Sequence, residues 1–477
     1  MKKSLLSIAV ALTLSANAAH SADLMFTPGE DSRFNWSSYE ALKSVKLSGE
    51  TVSVFGPWMG DEKTNFERVI AYFEEATGAK VNYAGSDSFE QQVVIDAQAG
   101  SAPNVSVFPQ PGLAADLAAK GFITPLSDTV KNAVAEDYAA GQSWVDLATF
   151  KNREGKDDFY GVFYRADLKS LVWYSPDNFA DAGYDVPESM EELKALTKQI
   201  VADGGTPWCI GLGSGAATGW PATDWVEDLL LRTQPASVYD GWVTNEIKFD
   251  DPRIVGAIEE FGWFARNDAY VDGGAGAVSS TDFRDSPKGM FQSPPKCYLH
   301  RQASFIPAFF PEGTQLGLDA DFFYFPSYES KELGNPVLGA GTLMSITNDS
   351  KGARAFIDFI RSPIAHELWM AQTGFLSAHL GANPELYSSD AAKKQVEILR
   401  YATTFRFDGP DLMPGKIGAG SFWTGMVDFT GGKDAKEVAA DIQKTWDALK
   451  ECVWGSREFY LGTLFFWLPI EMTSTVM

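Results

Sequence analysis

Apolar and polar positions in the first third of the chain alternate between two periods. Thr51 to Gly56 (TVSVFG) is a short β-branched run. Phe66, Val69, Ile70 and Phe73 follow at helical spacing, with Gly78 placed to close the helix. A second strand is predicted in AKVNY and a second helix through Phe89, Val93, Val94 and Ala97. A third strand in NVSVF is followed by a helix from Leu113 to Ala119 that ends before Gly121. Strand and helix in strict alternation predict a parallel sheet covered on both faces. The ligand site of such a sheet lies at the carboxyl ends of its strands. Here those ends carry GPWMGDE, AGSDSF and PQPG.

The pattern restarts near GVFYRADLKSLVWYS. Ser189 and Glu192 form a capping box that opens a helix through Met190, Leu193, Leu196 and Ile200. WCIGL reads as the next strand, and SGAATGWPATDW, Ser214 to Trp225, leaves its carboxyl end. Two α/β units would place the loops bearing Trp58 and Trp220 on comparable edges. If the units face each other, both loops line one cleft.

The beginning of the chain has a different pattern. Lys2 and Lys3 precede an apolar run from Leu5 to Leu14 and then small residues. This is the pattern of an export signal over 1–22, cut after Ala18 or near Ala22, and the run is too short to span a bilayer. An exported protein meets an oxidising compartment, so Cys209 and Cys297, both in stretches that read as ordered, are expected to pair. Two buried thiols are the alternative. Cys452 stands apart in the tail. The 477 residues suffice for two large lobes, and a net charge of −24 argues against nucleic acid and anionic membranes as partners. With four His and no Cys/His cluster, no metal site and no cofactor are expected.

Several segments, in order, resemble the periplasmic solute-binding proteins of ABC sugar importers, the class that includes maltose-binding protein. FEEATGAKVNY, AQAGSAPNVSVF and GLAADLAAKGFITPL match the first lobe of that class, with Asn104 where an Asp is usual. VWYSPDNFADAGYDVPESMEELKAL matches the entry to the second lobe. VLGAGTLMSITNDSKGARAFIDFIRSPIAHELWMAQTGFLSA matches the return crossing, and FWTGMVDFTGGKDAKEVAADIQKTWDAL the closing helices. TPWCIGLGSGAATGWPATDWVEDLLLR is similar to α-glucoside-binding members, whose ligands include maltose, sucrose and trehalose.

The resemblance implies an α/β protein of two lobes, each a mostly parallel sheet flanked by helices, joined by hinge strands and closing on the sugar. It places 23–162 plus 340–385 in lobe 1 and 163–339 plus 386–450 in lobe 2. The crossings are expected near Gly161 to Arg165, near Gly339 to Thr342, and between Leu380 and Met413. An atypical tail, 451–477, follows. The implied role is periplasmic: a monomer that binds an α-glucoside and delivers it to membrane permease subunits. With no Cys near the signal cut, no lipid anchor is expected there.

A pyranose has apolar faces and a rim of hydroxyls, so aromatic rings and hydrogen-bonding side chains should line the cleft. Trp220, between Gly and Pro, and Asp224 are candidates, while Trp225 fits either cleft or core. In the first lobe Trp58, Asp61, Asp87 and Gln110 follow strand ends, with a helix cap as the alternative for Asp61 and a turn for Asp87. Tyr164 and Arg165 fall at the first crossing, and Tyr164 is taken as the ligand contact. Of His300, Arg301 and Gln302, where relatives carry an aromatic, Gln302 is taken. Gly341 would let backbone approach the ligand. Trp423 matches the aromatic that stacks on sugar from the second lobe. An exported glycosidase would also need an aromatic-lined cleft, but requires two carboxyls flanking the scissile bond. Among 63 acids no strand-end Glu pair stands out. Binding of a peptide, polyamine or metal is the remaining reading, and a cationic ligand would suit the acidic charge.

Overall fold

In the computed structural model, residues 24–454 are described, apart from positions 140, 373 and 388. The export segment 1–22, the Cys452 side chain and the tail beyond 454 lie outside the described residues. The alternation at the start of the chain builds the first lobe. Strands β1 (Thr51–Gly56), β2 (Lys80–Gly85) and β3 (Val105–Phe108) run parallel, with β1 in the middle. Helices Gly60–Thr77, Phe89–Ala99 and Pro111–Ala119 cover them. In the first of these, Phe66, Val69, Ile70 and Phe73 are buried on one stripe. It stops at Gly78, which is left-handed at φ 76° and donates its N–H to Glu74 O at 2.8 Å.

A hairpin, β4 (Thr149–Lys151) with β5 (Asp157–Phe159), leads into β6 (Gly161–Leu168) and β7 (Leu171–Tyr174). Strands β8 (Leu299–Arg301) and β9 (Asp321–Tyr324) precede β10 (Pro336–Ile346), and β11 (Thr404–Phe407) comes last. β6 and β10 pair antiparallel from Gly339↔Leu168 to Ser345↔Gly161, with an irregularity between Thr342 and Leu343. Every residue of β10 is buried. Its second half lies against β3 and its first half against β11, completing a six-stranded sheet. Leu343, Met344 and Ile346 belong to the first lobe's core, whereas Leu338 belongs to that of the second. The same strand therefore passes from one lobe to the other.

In the second lobe the sheet differs from the parallel one expected. It is three-stranded, in the order β8-β7-β9, and both pairings are antiparallel. WCIGL is not a regular strand: Trp208 makes isolated parallel bridges to Val271 and Leu299. The segment 281–286 takes the neighbouring place, and a Cβ on Gly211 would fall 2.7 Å from Thr281 O. The helix over Met190–Ala202 forms as its pattern predicts. Ser189 accepts the Glu192 N–H, but Glu192 reaches back to the N–H of Glu188, one residue before the position a capping box requires. Helices Trp220–Thr233 and Pro252–Ala265 enclose a core rich in rings. Trp225 belongs there: it is 2% exposed and packs against Trp208, Phe261, Phe264 and Phe325.

Cys209 and Cys297 form a disulfide across 88 residues, with Cα atoms 5.4 Å apart and both residues buried. Closing a loop of that length stabilises by about 4–5 kcal/mol in the chain-entropy account.

Candidate functional site

The carboxyl ends of β1, β2 and β3 meet the second lobe across a cleft of about 870 Å³, open in part to solvent. Pro57 and Trp58 follow β1, Ser86 and Asp87 follow β2, and Pro109 and Gln110 follow β3. Trp58 lines the cleft but is only 2% exposed. Its ring lies edge-on to Phe66 at 4.8 Å and to Trp369 at 4.9 Å, and the Arg165 guanidinium sits 5.4 Å from it.

Across the cleft, the helix Trp220–Thr233 begins at a glycine that no other residue could replace. Gly219 has φ +117°, and a Cβ there would stand 2.2 Å from Trp423 O. This contact brings Trp220 and Trp423, 203 positions apart in sequence, into the same wall. The Trp220 ring is half-buried, perpendicular to Phe283 at 4.9 Å and tilted to Phe305 at 6.0 Å. One turn later, Asp224 faces the same way, as residues four apart on a helix do.

The floor comes from the crossing strands. Arg165, Asp167 and Lys169 line it at alternate positions. Arg165 donates to Glu62 Oε1 at 2.6 Å and pairs with Asp167 at 3.2 Å. Lys169 Nζ donates to Asp224 Oδ1 at 2.8 Å and also to Asp408, just beyond β11. Burial alone would lower the Lys169 pKa, but the carboxylates of Asp224, Asp408 and Asp411 outweigh it and hold the ammonium charged. Burial pushes the Asp224 carboxyl up to about 6, opposed by Lys169 and reinforced by Asp408. Beneath them Arg301 donates to Asp228 at 2.7 Å, and Arg232, also bonded to Asp228, donates to Phe325 O and Pro326 O at 2.9 and 3.0 Å. This fixes the helix that carries Trp220 and Asp224.

The structure brings together Trp58, Asp87, Gln110, Trp220, Asp224, Gly341 and Trp423. Asp87 spans the cleft to Arg284 at 2.5 Å. Gly341 is a glycine for packing reasons too, since a Cβ would fall 2.9 Å from Phe163 and 3.2 Å from Trp144. Three other expected site residues are corrected. Asp61 is exposed on its helix, and Glu62, one position on, shares the inward stripe with Phe66 and lines the cleft. Tyr164 points into the first core and donates to Ala365 O at 2.7 Å, because a strand sends neighbours to opposite faces and Arg165 takes the cleft side. Gln302 is buried, its Oε1 accepting from Ala303 N at 2.8 Å, while Phe305 supplies the ring at the cleft. The alternation Arg165-x-Asp167-x-Lys169 was the available signal for the floor. Asp408 and Asp411 had none, since only folding returns their segment to the cleft.

Among the described residues, Asp224, Glu227 and Asp408 are the carboxylates grouped closely enough to hold a cation, with oxygens within 4.8 Å. The Lys169 ammonium already bonds two of them, and Tyr239 OH and Gly409 N–H, both at 2.7 Å, donate to Glu227. Gln110 Oε1 and Asp224 Oδ2, by contrast, are buried without a hydrogen-bond donor. With rings and acceptors together on its walls, the cleft is suited to a small ligand rich in donors.

The profile of the family described as bacterial extracellular solute-binding protein matches residues 56–367. The chain is 64% identical over 458 residues to the alpha-glucosides-binding periplasmic protein AglE of Rhizobium meliloti (strain 1021), covering 94% of this chain and 100% of that one. It is 41% identical over 396 residues to the osmoprotective compounds-binding protein GgtB of Synechocystis sp., covering 83% and 92%. Among solved structures, the bacterial solute receptor AcbH aligns with a TM-score of 0.71 at 18% identity, over 85% of this chain and 100% of that one. Maltose-bound MalE3 of T. maritima aligns at 0.64 and 15%, over 84% and 100%. These structural likenesses concern the fold, and it is the two-lobed one described above. From its strand order, its cleft and these relatives, the chain belongs to the bacterial extracellular solute-binding proteins.

Proposed function

We propose that the protein binds an α-glucoside of the maltose, sucrose or trehalose type in the cleft and delivers it to the permease of an ABC importer. The observation that carries this reading is the 64% identity, over nearly the whole chain, to an alpha-glucosides-binding periplasmic protein. The cleft supports it: Trp220 and Trp423 offer rings to pyranose faces, and Asp87, Gln110 and Asp224 offer acceptors to the hydroxyl rim. Glu62, Arg165 and Phe305 join them as contacts. The protein works in the periplasm as a monomer, with lobes formed by 23–162 plus 340–385 and by 163–339 plus 386–450. No described helix is long and apolar enough to cross a membrane. It binds without turnover, a reading supported by the binding-protein relatives.

The test is calorimetric titration with maltose, sucrose and trehalose, beside melting curves. A ligand at a thousand times its dissociation constant should stabilise the fold by about 4 kcal/mol. Recovered sugar should be unaltered. Absence of heat and of any melting shift with all three sugars would defeat the reading, and hydrolysis abolished by one carboxylate substitution would replace it with an enzyme.

A further inference from the structure

Seven carboxylates line the cleft against three basic side chains. Each basic group is already matched: Arg165 with Glu62 and Asp167, Lys169 with Asp224 and Asp408, and Arg284 with Asp87. This leaves Glu90 and Asp411, and among the described residues neither has an ion pair. They occupy one corner of the cleft. Gln110 Nε2 donates to Glu90 Oε1 at 3.2 Å. Gln110 also stands at the N-terminal boundary of the helix Pro111–Ala119, and a Cβ on Gly112 of that helix would stand 2.0 Å from Met413 O. Asp116 Oδ2 accepts the Gly415 N–H at 3.0 Å. The first lobe's helix start is thus clamped to the segment that carries Asp411. Gln110 Oε1, on a residue 5% exposed, has no donor.

Such a corner is short of one group, a cation with several donors. Neither carboxylate has an ion pair of its own, Asp411 feeling only the ammonium that Lys169 already gives to Asp224 and Asp408, and burial pushes both upward, Glu90 to about 7. A sugar hydroxyl donates one hydrogen bond, whereas an ammonium donates three and carries the missing charge. We infer that Glu90, Gln110 and Asp411 form a subsite for a protonated amine on the bound glycoside, so that the cleft prefers amino-substituted α-glucosides and rejects anionic ones. The sugar part rests on the α-glucoside reading above; the amine part rests on the charge balance of the wall.

The probe is a trehalose series, because the symmetry of trehalose lets four mono-amino-deoxy analogues cover every hydroxyl position. A trehalose uronate completes the set. In low-salt calorimetry at least one amine analogue should bind about tenfold more tightly than trehalose and the uronate about tenfold more weakly. About 0.5 M salt should shrink both differences. In Glu90→Gln/Asp411→Asn the ratio between the best amine and trehalose should fall to about one. If that variant fails to fold, Glu90→Gln alone should still lower the ratio. Trehalose binding with no amine tighter, or a ratio indifferent to the substitutions, overturns the inference and leaves the α-glucoside reading standing. An amine that binds while maltose, sucrose and trehalose do not would keep the inference and sink that reading. Silence from the whole series would sink both.

Discussion

Trp220 and Trp225 lie five positions apart on one helix, and the structure assigns them opposite tasks. Trp220 is half-buried at the cleft, touching Phe283 and Phe305 with part of its ring open. Trp225 is enclosed by four aromatic rings. Cutting each to Ala therefore predicts two separate outcomes. In Trp220→Ala the sugar loses an apolar face worth roughly 2 kcal/mol, or about thirtyfold in Kd. The apo protein loses only the edge contacts of a ring that was never fully covered. In Trp225→Ala a large cavity opens in the core at a cost of about 3–5 kcal/mol. For a lobe of this size that lowers the Tm by on the order of 10 °C. The assay pairs calorimetric titration of maltose with apo melting curves for both variants. If Trp220→Ala kept its affinity and melted as early as Trp225→Ala, the helix start would be core and the proposed sugar face would have to lie elsewhere.

Removing the cross-cleft pair with Arg284→Ala should weaken sugar binding a few-fold, mainly through faster release, since a partly exposed ion pair contributes about 1 kcal/mol or less. Stopped-flow dissociation reads this, and an unchanged off-rate would deny Asp87–Arg284 any part in holding the lobes closed. Burial raises the Glu90 carboxyl to about 7 from an ordinary value near 4.5, aided by Asp87 and opposed by Gln110. The folded state therefore binds the extra proton between those values, and stability falls as pH rises through that window. Glu90→Gln should flatten this decline in melting curves taken from pH 4.5 to 7, and a parallel decline in both proteins would contradict it. Peptide mapping without reductant should recover Cys209 linked to Cys297, and reduction should lower the Tm. A linkage involving Cys452 would contradict this pairing.

The local features could be read from sequence because their causes are local. Phe66, Val69, Ile70 and Phe73 mark a helical stripe whatever lies opposite. Strand and helix in alternation left few topologies open for β1 to β3, and so pointed to the loops of Trp58, Asp87 and Gln110. Tertiary structure decided what depends on partners distant in the chain. Tyr164 and Arg165 are adjacent, and only the packing of β6 between the first core and the cleft determines which turns inward. The same holds for Asp61 and Glu62. The antiparallel sense of β7 with β8 and β9 comes from segments well over a hundred residues later, which no periodicity within β7 encodes. Asp408 and Asp411 belong to the site because β11 returns beside β10, and the Lys169 ammonium needs their charge once burial has removed water. Sequence determined which segments form strands, helices and strand-end loops, because hydrophobic period and capping act within a few residues. Only the tertiary structure decided which side chains share the cleft, because facing directions and charge balance arise where distant segments meet.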